Sequence, residues 1–205
     1  MRNLKFFSFG LLLMMGLEIV VFSACSDDDK KEEIVPNTTD KGVIINGVKW
    51  ATRNIASPGT FAAKSEDVGA FYQWNSKVVW STTGKTDWSS DIWEKANDPS
   101  PAGWRVPTLD EFKTLFNSDK VSFGWSIENG IAGCRCTDKA TRNSIFLPAS
   151  GQYLDGESYN GGYYWTSTPF TSGENCKAFW RFDNVSCGYA GYWAEGRCNV
   201  RSVAK

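Results

Sequence analysis

The segment Gly103-Trp104-Arg105-Val106-Pro107-Thr108-Leu109-Asp110-Glu111-Phe112 decides the fold, because an extended stretch ends there and a helix begins within one residue. Pro107 keeps Val106 out of the helical region of backbone space. Thr108 followed by Glu111 spells the reciprocal cap S/T-x-x-E, in which each side chain accepts from the other residue's backbone N–H. A short helix over about residues 109 to 116 follows. Its apolar residues Leu109, Phe112, Leu115 and Phe116 recur at spacings of three and four, so one face packs on a core while Asp110, Glu111 and Lys113 stay in water.

Working outward, Val43-Ile44-Ile45 and Val48-Lys49-Trp50-Ala51-Thr52 flank Asn46-Gly47, a dipeptide that supplies the two positive φ angles a tight hairpin needs. The run Gly69 to Trp74 predicts a strand. Residues 75 to 103 form a polar, tryptophan-bearing excursion with a helical turn near Asp91 to Ala96. After Val121, short strands are expected at Ile145-Phe146-Leu147, Tyr163-Tyr164-Trp165, Ala178 to Phe182 and Asn199 to Val203, divided by Gly, Asn and Ser. A helix early and strands late predict an α+β fold. It comprises an N-terminal hairpin, one or two short helices and a small twisted antiparallel sheet in which the chain ends meet.

Four stretches in order, the corner above with Leu147-Pro148-Ala149-Ser150-Gly151, Gly162 to Pro169 and Asn199-Val200-Arg201-Ser202-Val203, resemble the Fibrobacter succinogenes major paralogous domain. That family of bacterial surface domains is related to the C-type lectin-like and formylglycine-generating-enzyme folds, and the resemblance runs from Gly42 to the C-terminus. It implies a lectin-like fold and says much less about ligand or activity. The family often carries one cysteine before its Pro-Ala-Gly-Trp motif and another in its terminal strand. Here those positions are Ser100 and Ser202, which implies that one bridge is lost.

Before the domain, Arg2 and Lys5 precede an apolar run from Phe6 to Leu17, and Phe22-Ser23-Ala24-Cys25 closes it with small residues. This layout predicts a lipoprotein signal over residues 1 to 24, with Cys25 lipidated as the mature N-terminus. Ser26-Asp27-Asp28-Asp29 resembles the acidic export signal of Bacteroidetes-type lipoproteins. Residues 25 to 41 are expected to tether the domain, 42 to 205, to the outer face of the outer membrane.

Composition removes whole classes of chemistry. The 205 residues include no histidine, which excludes a Ser-His-Asp triad, a Cys-His dyad and imidazole metal sites. Loss of the signal takes Arg2, Lys5 and Glu18 with it, leaving 20 basic against 22 acidic residues and no basic run, so no nucleic-acid partner is expected. Ten tryptophans either fill the core of a loop-rich fold or line a surface on which sugars stack. Trp50, Trp104, Trp165 and Trp180 are assigned to scaffold. Cys134, Cys136, Cys176, Cys187 and Cys198 can form at most two disulfides, in any of 15 connectivities.

The expected function is non-catalytic binding of an extracellular glycan or protein through C-terminal loops, with Tyr159, Asn160, Asn175, Asp183, Asn184, Tyr189, Tyr192, Trp193 and Glu195 as contacts. The sugar-site tripeptides of calcium-dependent lectins are absent, so neither metal nor cofactor is expected. Residues 156 to 198 concentrate Asn, Tyr, Ser, Cys, Asp and Gly around Trp165, Trp180 and Phe182. That is the composition of a variable protein diversified by a retroelement, an alternative of the same fold. A fimbrial tip subunit is another. An oxidase like the formylglycine-generating enzymes would need Cys187 and Cys198 to act as a pair.

Overall fold

A computed structural model describes residues 38–80, 91–154, 157–170, 176–193 and 196–205, with backbone alone at 152–154, 157–159 and 192–193. The chain divides into two units, Met1–Ile34 and Val35–Lys205. The signal segment, Cys25 and the acidic stretch after it lie outside the described residues.

The opening hairpin forms as expected. Strands β1 (Val43–Ile45) and β2 (Val48–Trp50) pair across Asn46 and Gly47, whose φ values are 45° and 83°. The fold reaches back beyond Gly42, where the sequence reading began it. The Asp40 carboxylate accepts from the N–H groups of Gly42 and Thr52, the Thr52 hydroxyl and Arg53 Nε. Burial opposes ionisation of Asp40, but these donors outweigh it and hold the carboxyl below its usual value.

The 3-10 turn Lys95–Asn97 leads to β3 (Trp104–Arg105) and then to helix α1 (Leu109–Leu115). The reciprocal cap is present. Thr108 Oγ1 accepts from Glu111 N at 3.2 Å, and Glu111 Oε2 accepts from Thr108 N at 2.7 Å. Arg105 donates to both oxygens of Glu111, at 2.8 and 2.6 Å, so the cap is tied to the strand before it.

The rest is predominantly β. A meander comprises β4 (Val121–Glu128), β5 (Ile131–Asp138) and β6 (Ser144–Pro148), and a two-stranded ribbon comprises β7 (Gln152–Leu154) and β8 (Glu157–Tyr159). A second meander comprises β9 (Gly162–Pro169), β10 (Cys176–Phe182) and β11 (Cys187–Trp193). The last strand, β12 (Val203–Ala204), enters between β2 and β3, so the chain end closes on the opening hairpin.

Of the strand expected over Asn199 to Val203 only Val203 lies in a strand, β12, and two further expectations are corrected. The strands do not share one sheet: each meander pairs within itself, giving three antiparallel sheets of three or four strands plus the ribbon. The run Gly69 to Trp74 is not a ladder. Ala70 N donates to Ile55 O and Tyr72 N to Cys198 O, so its backbone is satisfied by different partners along its length.

The core has two parts on opposite faces of β9–β10–β11. On one face Trp180, Phe182 and Tyr164 pack with Phe112 and Phe116 of α1 and with Trp50, Cys136 and Leu147. On the other, Trp165 and Phe179 pack with Tyr72, Trp74, Trp104 and Val200. Trp50, Trp104, Trp165 and Trp180 are all buried. The four stretches singled out above touch one another. Leu109 N donates to Thr168 Oγ1, Ser167 N to Pro107 O, Tyr164 Oη to Pro148 O, and Trp165 N to Asn199 O.

Candidate functional site

The pairing of β9, β10 and β11 decides which loop residues can act together. Phe182 lies opposite Gly162 on one side and Cys187 on the other, so the turn at 183–186 and the Asn160-Gly161 turn sit at one end of the sheet. Gly162 lies under the Phe182 ring, where a Cβ would fall 2.0 Å from it. Cys176 lies opposite Trp193, so Tyr192 and Trp193 belong to the other end. Six steps of strand at about 3.3 Å each separate the ends by roughly 20 Å. The candidate contacts therefore do not form one cluster.

At the first end, Asp183 Oδ1 accepts from Val185 N at 2.8 Å and Ser186 N at 2.7 Å. These N–H groups hold the Asp183 carboxyl below its usual value and shape an Asx turn that leaves Asn184 and Val185 exposed. A cavity of about 160 Å³ opens beside the turn, lined by Trp125, Cys134, Phe182, Asp183, Asn184 and Cys187. Asn160 is exposed on the neighbouring turn. Tyr189 is 52% exposed on edge strand β11, with Lys113 Nζ 5.4 Å from its ring centroid. Tyr159 is placed by its backbone in β8, and Asn175 and Glu195 lie outside the described residues.

Trp125 is not among the contacts expected from the sequence. It stands 41% exposed on β4 because a second Asn-Gly turn, Asn129 and Gly130 with φ of 49° and 82°, folds β4 back on β5. The same dipeptide that marked the first hairpin marks this one, and Val121, Phe123, Trp125 and Ile127 alternate with polar or small residues.

All five described cysteines are free thiols. Cys134 and Cys136 alternate onto one face of β5 with their sulfurs 4.0 Å apart, and Cys134 shares the small cavity with exposed Cys187. Hydrogen bonding from Cys136 lowers the Cys134 thiol, while burial pushes Cys136 and Cys198 well up. Cys187 borders the α1 face of the sheet and Cys198 is fully buried in the core on the other face, so the two do not form a pair. Among the described residues no group of three Cys, Asp or Glu is placed to hold a metal ion.

A larger cleft, of about 350 Å³, lies elsewhere and was not anticipated. Trp93, Lys95, Asp98, Trp104, Arg105 and Lys205 line it. Trp93 is half-buried and meets Trp74 edge-on at 5.3 Å. Each Asp98 oxygen accepts one backbone N–H, from Ser100 and from Val106, both at 2.9 Å. At its margin the hydroxyls of Ser100 and Ser202 share a hydrogen bond at 2.7 Å. Compared with known proteins, the chain matches no family model, no curated protein and no solved structure.

Proposed function

We propose that this chain is a non-catalytic, lectin-like binding module of the cell surface, carried on a lipidated Cys25, that contacts an extracellular glycan or protein with the end of the sheet around Asn184. The observation that carries this reading is the division of labour on β9–β10–β11. Trp165, Trp180 and Phe182 are buried as frame, whereas Asn160, Asn184 and Tyr189 are exposed, with Trp125 beside Asn184 across a small cavity. Amides, a carboxylate and exposed rings on a rigid support are the chemistry that hydroxylated or peptide ligands require. The kinship with the Fibrobacter succinogenes major paralogous domain is supported by mutual contact of the four resembling stretches and by Ser100 and Ser202, which stand together where the family's cysteines would.

The test is a glycan and surface-protein binding screen with the full-length chain in detergent, repeated with Asn184→Ala and Trp125→Ala. Binding should weaken in both variants without a change in melting temperature. Retention of full binding by both would sink the assignment to this end. Cys25→Ser should move the protein from the membrane fraction to the soluble one, and unchanged fractionation would refute the lipid anchor.

A fixed frame with exposed polar side chains is also what a retroelement-diversified protein needs, so the same division favours that second reading. Sequencing the last part of the gene across a cell population decides it: substitutions confined to codons of residues such as Asn160, Asn184 and Tyr189 would establish diversification, and an invariant sequence would exclude it.

A further inference from the structure

We propose that Cys187 and Cys134 are a reactive thiol pair, which captures a low-molecular-weight disulfide at the small cavity and closes into a Cys134–Cys187 bridge. This chemistry does not depend on what the Asn184 end binds.

Strand register directs the two side chains toward one another. Cys187 lies opposite Phe182 across β10 and β11, and residues opposed in an antiparallel pair share a face. Phe182 belongs to the core cluster that also holds Cys134 and Cys136. Cys134, Phe182 and Cys187 all line the cavity of about 160 Å³. Cys187 is exposed, whereas Cys134 is only 4% exposed, so the first is reached from solvent and the second through the cavity.

The other pairings fail on geometry. Cys198 is fully buried in the core on the opposite face of the sheet, and Cys176 lies at the far end of β10. Cys134 and Cys136 are neighbours on one face of an extended strand, their sulfurs 4.0 Å apart. Two strand steps separate their Cα atoms by about 6.6 Å, and parallel side chains keep the Cβ atoms nearly as far apart, against about 3.8 Å in a disulfide. Bridging them would buckle β5, which is paired with β4 on one side and β6 on the other at both residues. The turn that carries Cys187 is tied differently. Asp183 accepts from Val185 N, Ser186 N and the Ser186 hydroxyl, all inside the turn, so the turn can shift toward β5 as a unit.

The two thiols suit successive steps. Burial, with the charges of Cys134 and Asp183 beside it, raises the Cys187 thiol, while a hydrogen bond from Cys136 and the Gly124 N–H hold Cys134 below the usual value. Exposed Cys187, as its thiolate, attacks one sulfur of RS–SR. A Cys187–S–S–R bond forms, and the RS⁻ released takes up the proton that Cys187 gave up. The Cys134 thiolate then attacks the Cys187 sulfur. The Cys134–Cys187 bond forms, and the second RS⁻ leaves and takes up the Cys134 proton. One small disulfide is thereby reduced to two thiols, and two thiols of the chain are oxidised to one disulfide.

The experiment exposes the reduced full-length chain, in detergent, to bis(2-hydroxyethyl) disulfide and maps the products by mass spectrometry of peptides. The parent should lose two thiols and yield a cross-linked pair of peptides containing Cys134 and Cys187. Closing that loop of roughly fifty residues should raise the melting temperature by about 10 °C, reversibly with dithiothreitol. Cys187→Ser, a change at an exposed position, should yield neither bridge nor adduct at Cys134. Cys134→Ser should trap the reagent on Cys187 as a stable mixed disulfide. A bridge mapped to any other pair, an adduct at Cys187 that persists unresolved in the parent, absence of reaction at Cys187, or capture on Cys134 in Cys187→Ser would each overturn the proposal.

Discussion

The helix corner at 103–116 and the closing segment at 199–203 meet where β3 pairs with β12, yet they are held by opposite kinds of contact. The corner is secured from nearby in sequence: Thr108 and Glu111 cap each other, and Arg105 reaches Glu111 six residues on. The closing segment is secured from afar. Arg201 is fully buried with no carboxylate among the described residues touching it, and its guanidinium donates to Asn54 Oδ1, Ala51 O and Phe146 O, which lie 147, 150 and 55 residues away in sequence. Burial pulls the Arg201 guanidinium below its ordinary value, so the three neutral acceptors must replace water around a charge. The corner's cap and ion pair are local, although its seven-residue helix still needs the core and the bond to Thr168. The closing segment can form only when the rest of the domain is in place.

The sharpest way to break this contrast is Arg201→Met, which keeps the stem but strands three buried acceptors. We expect a loss of about 3–5 kcal/mol, read as a fall in the urea midpoint of the full chain. A loss below about 1 kcal/mol would mean that the segment is held by packing rather than by the guanidinium. A second variant joins the two regions covalently. Ser100→Cys with Ser202→Cys, at hydroxyls 2.7 Å apart, should oxidise spontaneously and close a loop of roughly a hundred residues. Stabilisation of about 2–4 kcal/mol, abolished by dithiothreitol, is expected. Failure of the thiols to pair would show that the corner and the closing segment are not in the register described.

Within the corner the effects are smaller because water can replace what is lost. Thr108→Ala removes the acceptor for Glu111 N and should cost about 1 kcal/mol in thermal or urea unfolding, while Thr108→Ser should cost almost nothing. An equal cost for both would assign the effect to the threonine methyl instead of to the cap.

The same contrast explains what the sequence disclosed. Thr108-x-x-Glu111 and Asn46-Gly47 act through their immediate neighbours, so their reading needed no partner. The Asn129-Gly130 hairpin was legible by the same rule, but Gly124, Ser122 and Ser126 looked like dividers although they are the outward positions of a strand. Lys177 was beyond reach. It lies inside β10 with its side chain 3% exposed, bonded to Asp91 Oδ1 at 2.8 Å and 4.7 Å from the Trp74 ring centroid, and both partners come from distant segments. The larger cleft is of that kind too, since Trp93, Asp98 and Lys205 converge only through the pairing of β3 with β12. At the other site Asp183 and Asn184 are expected as contacts because they fall in a C-terminal loop, but only strand register shows that Tyr192 and Trp193 lie at a different end of the sheet.

The finest test of the corner uses pH. Burial disfavours the Glu111 carboxylate, but Arg105 and the Thr108 N–H outweigh it, so its pKa in the fold lies below the ordinary glutamate value of about 4.3. Such a group contributes its full stability above the unfolded value and loses it as the pH falls through the folded one. Glu111→Gln can still accept from Thr108 N but no longer pairs with Arg105 as an ion, and both partners are partly open to solvent, Arg105 by 36% and Glu111 by 20%. At pH 7 the variant should therefore be less stable than the parent by only about 0.5 kcal/mol. As the pH falls below about 4 the parent's Glu111 takes up its proton and the two unfolding curves should converge. A gap that stays constant down to pH 2.5 would mean that the glutamine is penalised for its fit to the cap, and that the ionic tie between β3 and α1 contributes nothing measurable.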